Sequence, residues 1–270
     1  MTELSYLAAV RESYDTGQRV RLAARRGRMK GHAAVMNGAV LFDLDGTLID
    51  SDHAYFAAER DALAHFGYRG FTYADHRSFI GMGMRDMWER LRAEGDVRAS
   101  VDQLLGLGNE LYLRGVRRSV RTFPGVVALA DRLRRAGFGL AVASGSSRVV
   151  IDAALSSAGL ASGFSVRVSA EEVPRGKPDP AVFEEAAHRL AVSPQDCTVV
   201  EDAGTGVRAA LQAGMRCVAV TSDAGRECPS AVSAGRVLLA ERGSFDDAGA
   251  FGWIMAGNSR AACRSESHGP

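Results

Sequence analysis

The chain has 270 residues, of which 46% are hydrophobic and 24% charged, and its formal net charge is +1. These values are typical of a folded globular protein with a sizeable core, and they exclude a disordered chain and a strong overall field that would attract nucleic acid. No apolar run reaches the roughly 18 to 20 residues of a membrane span. The four cysteines are scattered without zinc-ligand spacing, which argues against a disulfide scaffold and favours a cytoplasmic location.

The two ends of the chain differ from its middle. Residues 1–37 hold seven basic and three acidic residues, and we predict a disordered basic extension there. Residues 241–270 are rich in glycine, serine and alanine, and we predict a loose C-terminal tail. Between them we predict a core domain, 38–52 and 122–240, and a cap domain, 53–121.

Short apolar runs predict the strands of the core. In chain order they are Ala39–Phe42, Leu140–Ala143, a weaker run at Phe164–Val168, Thr198–Val200, Cys217–Val220 and a weaker run at Val237–Leu239. Continuous apolar strands suit a parallel sheet that is covered on both faces. Helical patterns that end at glycine, such as the one closed by Gly137, lie between the runs. The alternation predicts an α/β fold with a doubly wound, mostly parallel sheet.

The stretch between residues 53 and 121 shows no strand pattern. It contains helical patterns instead, at Phe56–Phe66, Met84–Arg92 and Val101–Val116. Because this insert follows the first strand, it should lie over the carboxyl edge of the sheet, where α/β proteins bind ligands. We therefore predict a small α-helical cap.

Four polar clusters stand at the ends of strands in the predicted core. They read DLDGT at 43–47, ASGS at 143–146, GKPDP at 176–180 and VEDAGTG at 200–206. The carboxyl ends of neighbouring parallel strands lie side by side, so we expect the clusters to converge in one crevice.

The carboxylates of the first and last clusters predict a metal site. Asp43, Asp45, Glu201 and Asp202 would repel one another unless a cation lay among them. Oxygen ligands without histidine or cysteine select a hard cation, and Mg²⁺ fits best.

The other two clusters carry groups that suit a phosphoryl group. Ser144 offers a hydroxyl, Gly145 lets backbone N–H groups approach an anion closely, and Lys177 supplies a compact positive charge. A metal ion, a lysine and N–H groups are the surroundings that phosphoryl transfer requires.

In this order, the four clusters resemble the four motifs of the haloacid dehalogenase superfamily, with a similarity that runs from about Ala39 to Val220. An insert between the first two motifs resembles the branch of phosphoglycolate phosphatases, sugar-phosphate phosphatases and β-phosphoglucomutase. The resemblance implies that Asp43 is the nucleophile that becomes an aspartyl phosphate and that Asp45 is the general acid and base. It implies Mg²⁺ ligands at Asp43, Asp45 (through its backbone carbonyl) and Asp202, with Glu201 nearby or bound through water. It implies phosphate-binding groups at Ser144 and Lys177.

The implied function is Mg²⁺-dependent hydrolysis of a small phosphomonoester, a sugar phosphate or related metabolite. A phosphomutase of the β-phosphoglucomutase type is one alternative, weakened because residues 53–121 contain eleven arginines and no lysine. A nucleotide or modified-nucleoside monophosphate phosphatase is another, and a receiver-like phospho-acceptor or a degenerate binding protein are non-enzymatic ones. Arg85 could bind a second anion or sugar hydroxyls, or it could be a solvated helix residue. We expect no nucleic-acid or membrane partner, and a monomer or weak dimer.

Overall fold

A parallel sheet of six strands lies at the centre of the computed structural model. Its strands are β1 (Ala39–Phe42), β4 (Gly139–Ser144), β5 (Val166–Ser169), β6 (Cys197–Glu201), β7 (Arg216–Ala219) and β8 (Val237–Leu239). Their spatial order is β5-β4-β1-β6-β7-β8, and every neighbouring pair is parallel. A separate antiparallel pair joins β2 (Ile49–Asp50) to β3 (Arg121–Thr122). All residues of β1, β4 and β6 are buried, as expected for strands that are covered on both faces.

The structure describes residues 37–79, 84–95, 97–220 and 229–265. The predicted basic extension lies outside these ranges except for Asn37. The described residues belong to one compact unit, and the division of that unit into core and cap stays a prediction.

Helices cover the sheet and form the insert. They are α1 (Asp52–His65), α2 (Tyr73–Ser78), α3 (Met84–Glu94), α4 (Val101–Arg118), α5 (Pro124–Arg135), α6 (Arg148–Ser157), α7 (Ala181–Leu190), α8 (Gly204–Gln212), α9 (Pro229–Ser233) and α10 (Asp247–Ser265). Several begin where local chemistry favours a helix start. Ser100 and Gln103 form a capping box at the start of α4, and Pro124 opens α5.

The observed elements follow the predicted ones closely, and the differences include β5, α2, the β2–β3 pair and the C-terminal helix α10. The strand predicted at Phe164–Val168 is β5, two residues later at its start, because Phe164 turns into the core and packs edge-on against Phe42. The short helix α2 was not predicted. Its six residues are too few to show a helical period, and a capping box between Thr72 and Asp75 starts it.

The hydrophobic core has one cluster on each face of the sheet and a third cluster within the insert. The third cluster is built around Trp88, which is fully buried, and Met87 packs in the same cluster. These two residues are therefore helix core, as expected for apolar residues at helical spacing.

The prediction of a loose tail over residues 241–270 was wrong for most of the segment. Helix α10 packs against α5, and Ala250 and Ile254 on it are buried. The apolar residues of this helix are diluted by glycine and alanine, so the sequence showed only a weak helical stripe. Among the described residues, no helix combines the length and the apolar character that a membrane span needs.

Candidate active site

The loop that follows β1 places Asp43 at the carboxyl edge of the sheet. The Asp43 N–H donates to the carbonyl of Val200 in β6 at 2.9 Å, and the Asp43 side chain is buried. Gly46 turns the loop with a φ of +82°, and a Cβ there would lie 2.3 Å from Oδ2 of Asp202. Only glycine meets both requirements, so the DLDGT turn lets the Asp202 carboxylate lie directly against it.

Lys177 bridges two carboxylates of the predicted site. Its Nζ donates to Oδ1 of Asp43 at 2.6 Å and to Oε2 of Glu201 at 2.7 Å. The side chain is only 11% exposed, and its Nζ lies 4.9 Å from the centre of the Phe183 ring. These distances bring residues from three of the four predicted clusters into direct contact. In the described part of the chain, no hydrogen bond reaches the second carboxylate oxygen of Asp43.

Burial and neighbouring charges shift the pKa values of four side chains in the candidate site. Burial and the Glu201 charge raise the pKa of Asp43 to about 7, against the opposing effect of Lys177. Burial and Asp43 raise the pKa of Asp202 to about 6. Burial likewise raises the pKa of Glu201. Burial alone would lower the pKa of Lys177, but the charges of Asp43 and Glu201 outweigh it and raise that pKa. The ammonium therefore stays charged and favours the ionised form of its partners.

The acidic residues of the cluster offer an oxygen-only donor set. Asp43, Glu201 and Asp202 each present one oxygen, and the three oxygens lie within 4.8 Å of one another. Both Glu201 oxygens already accept hydrogen bonds, one from Lys177 and the other from the N–H groups of Asp202 and Ala203. Both Asp202 oxygens also accept hydrogen bonds, from Thr47 and Arg242, so Asp43, with one oxygen that accepts none among the described residues, has the most capacity for a cation. Such a set fits a hard divalent ion such as Mg²⁺.

Asp45 is held by two hydroxyl groups from different parts of the fold. Tyr112 on α4 donates to its Oδ1 at 2.7 Å, and Ser146 after β4 donates to its Oδ2 at 2.6 Å. The Tyr55 ring stacks on Tyr112 with centres 3.8 Å apart, and the Tyr55 hydroxyl lies 3.3 Å from Oγ of Ser146. No role is predicted for these two tyrosines from the sequence, since they carry no local pattern that points to the site.

The second predicted cluster lies at the end of β4. Ser144 is buried, and its Oγ accepts the N–H of Ser146 at 3.0 Å. Gly145 is exposed, and a Cβ there would meet nothing within 4 Å. A side chain at position 145 would therefore meet no steric conflict. The close approach of an anion to the backbone stays our predicted reason for a glycine there.

Arg85 is not joined to the cluster in the described part of the chain. It lies in the first turn of α3, where it donates to Asp102 of α4 at 2.9 Å, and 57% of its side chain is exposed. The adjoining residues 80–83, which include Gly81 and Gly83, lie outside the described ranges. The role of Arg85 in substrate binding stays a prediction.

Arg242 contributes to the site from the segment predicted to be loose. Its guanidinium donates to Oδ2 of Asp202 at 2.7 Å and lies 5.1 Å from the centre of the Phe123 ring, while Thr47 donates to Oδ1 of Asp202 at 3.1 Å. The sequence carries no signal for this contact, since a single arginine beyond the last strand resembles any surface residue.

Comparison with known proteins agrees with this geometry. The family model of haloacid dehalogenase-like hydrolases matches residues 40–220. The chain therefore belongs to the haloacid dehalogenase-like hydrolase family, and the predicted resemblance is confirmed.

Three known proteins illustrate the similarity. The chain is 34% identical over 189 residues to hexitol phosphatase A of Escherichia coli, covering 68% of this chain and 83% of that protein. It is 33% identical to the bifunctional riboflavin kinase/FMN phosphatase of Arabidopsis thaliana, covering 69% of this chain. The crystal structure of CbbY from Rhodobacter sphaeroides in complex with phosphate superposes with a TM-score of 0.62 at 26% identity, covering 68% of this chain and 86% of that one.

Some curated relatives are much longer than the matched region. The chain spans 49% of the riboflavin kinase/FMN phosphatase and 18% of another Arabidopsis thaliana relative.

Proposed function

We propose that the protein is a Mg²⁺-dependent phosphatase that hydrolyses a small phosphomonoester through an aspartyl phosphate on Asp43. The observation that carries this proposal is the bridge from Lys177 to Asp43 and Glu201, with Asp202 within reach of the same point. The names of the relatives favour a sugar phosphate or a related metabolite.

The chain supplies groups for each chemical step. The second carboxylate oxygen of Asp43 attacks phosphorus, and the bond from phosphorus to the ester oxygen breaks as Asp45 gives that oxygen a proton. Asp45 then takes a proton from water, whose oxygen attacks phosphorus and releases Asp43. Inorganic phosphate leaves, and both aspartates return to their starting states.

Lys177 and the second cluster hold the phosphoryl group during these steps. Lys177 favours the ionised form of Asp43 and offsets negative charge nearby, while Ser144 and the N–H groups at Gly145 bind phosphoryl oxygens. Mg²⁺, held by Asp43, Asp202 and the Asp45 carbonyl with Glu201 nearby, would neutralise charge on the phosphoryl oxygens.

A panel of phosphorylated metabolites tests the proposal. Phosphate release is measured with Mg²⁺ and with EDTA, for the wild type and for Asp43→Asn. We expect turnover only with Mg²⁺ and none by the variant on any compound. Asp61→Asn, which alters an exposed aspartate of α1, is the matched control and should keep full activity.

The same panel separates the alternatives. An isomerised sugar phosphate without phosphate release would identify a mutase, and preference for nucleoside monophosphates would identify a nucleotidase. Normal turnover by Asp43→Asn would contradict the nucleophile assignment.

A cytoplasmic location and a monomeric or weakly dimeric state are further parts of the proposal. Cell fractionation tests the location, and analytical ultracentrifugation tests the oligomeric state.

A further inference from the structure

The contact between Tyr112 and Asp45 joins the helical insert to the residue proposed as acid and base. Tyr112 lies on α4, is 2% exposed and donates its hydroxyl to Oδ1 of Asp45. The stacked ring of Tyr55 on α1 supports it from the side. The Tyr112 hydroxyl therefore lies in a packed setting, where its position is determined by two helices of the insert.

Two donors on opposite oxygens determine how the Asp45 carboxylate is oriented. Ser146 holds Oδ2 from the core, and Tyr112 holds Oδ1 from the insert. A terminal carboxylate rotates broadly when it is unrestrained. Proton transfer requires the donor and acceptor within hydrogen-bond reach and well aligned, so this restraint bears directly on the chemistry.

Tyr112 can act only as a donor in this position. A carboxylate oxygen only accepts hydrogen bonds, so the Tyr112 hydroxyl is the donor in the 2.7 Å contact with Oδ1 of Asp45. Its contact with the candidate site is this hydrogen bond, so orientation of the Asp45 carboxylate is the contribution that the geometry supports.

We propose that Tyr112 is a positioning residue that orients Asp45 for protonation of the leaving group, together with Ser146. The proposal rests on the proposed phosphatase function. The Tyr112 hydroxyl comes from α4, so the insert supplies one of the two groups that orient the proposed acid and base.

A pair of matched substrates tests this role. The leaving group of phenyl phosphate is a strong base that needs a proton as it departs, whereas that of p-nitrophenyl phosphate is stabilised by its nitro group and needs none. We expect Tyr112→Phe to lower kcat/KM for phenyl phosphate by about tenfold to a hundredfold while changing kcat/KM for p-nitrophenyl phosphate by less than about threefold.

A merely structural role predicts a different result. A general loss of packing would lower kcat/KM for both esters alike, and equal losses would overturn the proposal. Tyr68→Phe, which removes a hydroxyl elsewhere in the insert, should leave the ratio of the two kcat/KM values unchanged. If Tyr112→Phe does not fold, Ser146→Ala removes the other donor and must show the same selective loss, and an unchanged ratio there would also contradict the proposal.

The same data separate this proposal from the proposed function. A wild type that releases phosphate from neither ester and from no compound of the metabolite panel contradicts the phosphatase function itself. A wild type that hydrolyses both esters, with Asp43→Asn inactive on both and Tyr112→Phe unselective, leaves the function intact and refutes only the role of Tyr112.

Discussion

Lys177 occupies a position where a lysine and an arginine are not equivalent. Arginine makes up 31 of the 33 basic residues of the chain, yet lysine stands between Asp43 and Glu201, against the ring of Phe183. A compact ammonium can donate to both carboxylates in this space, whereas a planar guanidinium is larger and directs its donors along a rigid fork.

Lys177→Arg should therefore lower kcat by about a hundredfold or more, although the charge is retained. Steady-state kinetics on the best compound of the panel measures the effect. Arg60→Lys, on the exposed surface of α1, is the control for the chemical change and should have no effect. Full activity of Lys177→Arg would show that only the charge matters here.

Gly206 is a second residue whose identity the site requires. A Cβ at this position would lie 2.0 Å from Oε2 of Glu201, whose carboxylate is held by Lys177 and by backbone N–H groups. We expect Gly206→Ala to lower the free energy of unfolding by about 1–3 kcal/mol and to reduce activity at least about tenfold, because Glu201 must move.

Urea unfolding and phosphate release measure the two effects of Gly206→Ala. Gly106→Ala on α4 is the matched control, since a Cβ there meets nothing within 4 Å, and it should stabilise the helix by about 0.5–1 kcal/mol. A destabilisation shared by both variants would contradict the steric explanation.

The residues of the site could be predicted from the sequence to different degrees. Asp43, Lys177 and Asp202 each follow a recognisable local pattern, and parallel strands bring such patterns to one edge. Tyr112 and Arg242 carry no local pattern. Their contacts depend on how α4 and the segment after β8 pack on the core, which is a property of the three-dimensional arrangement and not of neighbouring residues.

At the scale of single elements, a buried histidine joins α1 to α2. His76 Nδ1 lies 2.6 Å from Oε2 of Glu59, and its Nε2 lies 3.0 Å from Oδ1 of Asp52. The hydroxyl of Tyr73 also donates to Asp52. Burial alone would lower the pKa of His76, but the hydrogen bonds of the two carboxylates outweigh it and raise that pKa.

This raised pKa predicts a pH-dependent stability. The contribution of His76 is fully present below its unfolded value of about 6.5 and is lost as the pH rises through the folded-state pKa. His76→Gln should therefore cost most stability near pH 6 and progressively less toward pH 9. Urea unfolding across this range measures the difference from the wild type.

The exposed His65 at the end of α1 provides the control for this prediction. His65→Gln removes an exposed side chain that makes no such pair of contacts with carboxylates among the residues that the structure describes, and it should change stability little. If His76→Gln cost the same free energy at pH 6 and pH 9, the charged form of His76 would not be what stabilises the pair of helices.

At the scale of the whole molecule, α10 completes the core that the sheet begins. Ile254 is fully buried in the cluster that also holds residues of β1 and α5. Nearby, the guanidinium of Arg216 in β7 lies over the Trp253 ring and donates to the carbonyl of Trp253 at 2.9 Å. The helix is thus attached to the sheet by apolar burial and by hydrogen bonds to its backbone.

Ile254→Ala should lower the free energy of unfolding by about 2–5 kcal/mol, because it removes buried methyl groups and leaves a cavity. Leu239→Ala removes a side chain that is 40% exposed and should cost clearly less. Denaturant titration compares the two variants. Similar small losses would show that α10 contributes little to the folded state.

The central sheet could be predicted from the sequence better than the C-terminal helix α10 that completes the core. Strands that are buried on both faces of a sheet appear in the sequence as continuous apolar runs, such as Ala39–Phe42. Such runs are easily recognised. The helix α10 was missed because Gly249, Gly252 and Gly257 interrupt its apolar stripe and its stability comes from tertiary packing. That packing depends on the residues against which the helix lies, and these residues are distant from it in the sequence.

The bond from Arg242 to Asp202 has a consequence for shortened versions of this chain. A fragment that ends just after β8 would carry every family motif and pass any inventory of conserved signatures, yet one carboxylate of its pocket would lose its guanidinium partner. Expression fragments of this chain should therefore be judged by whether they reach Arg242, since motif completeness alone overstates how much of the candidate site they possess.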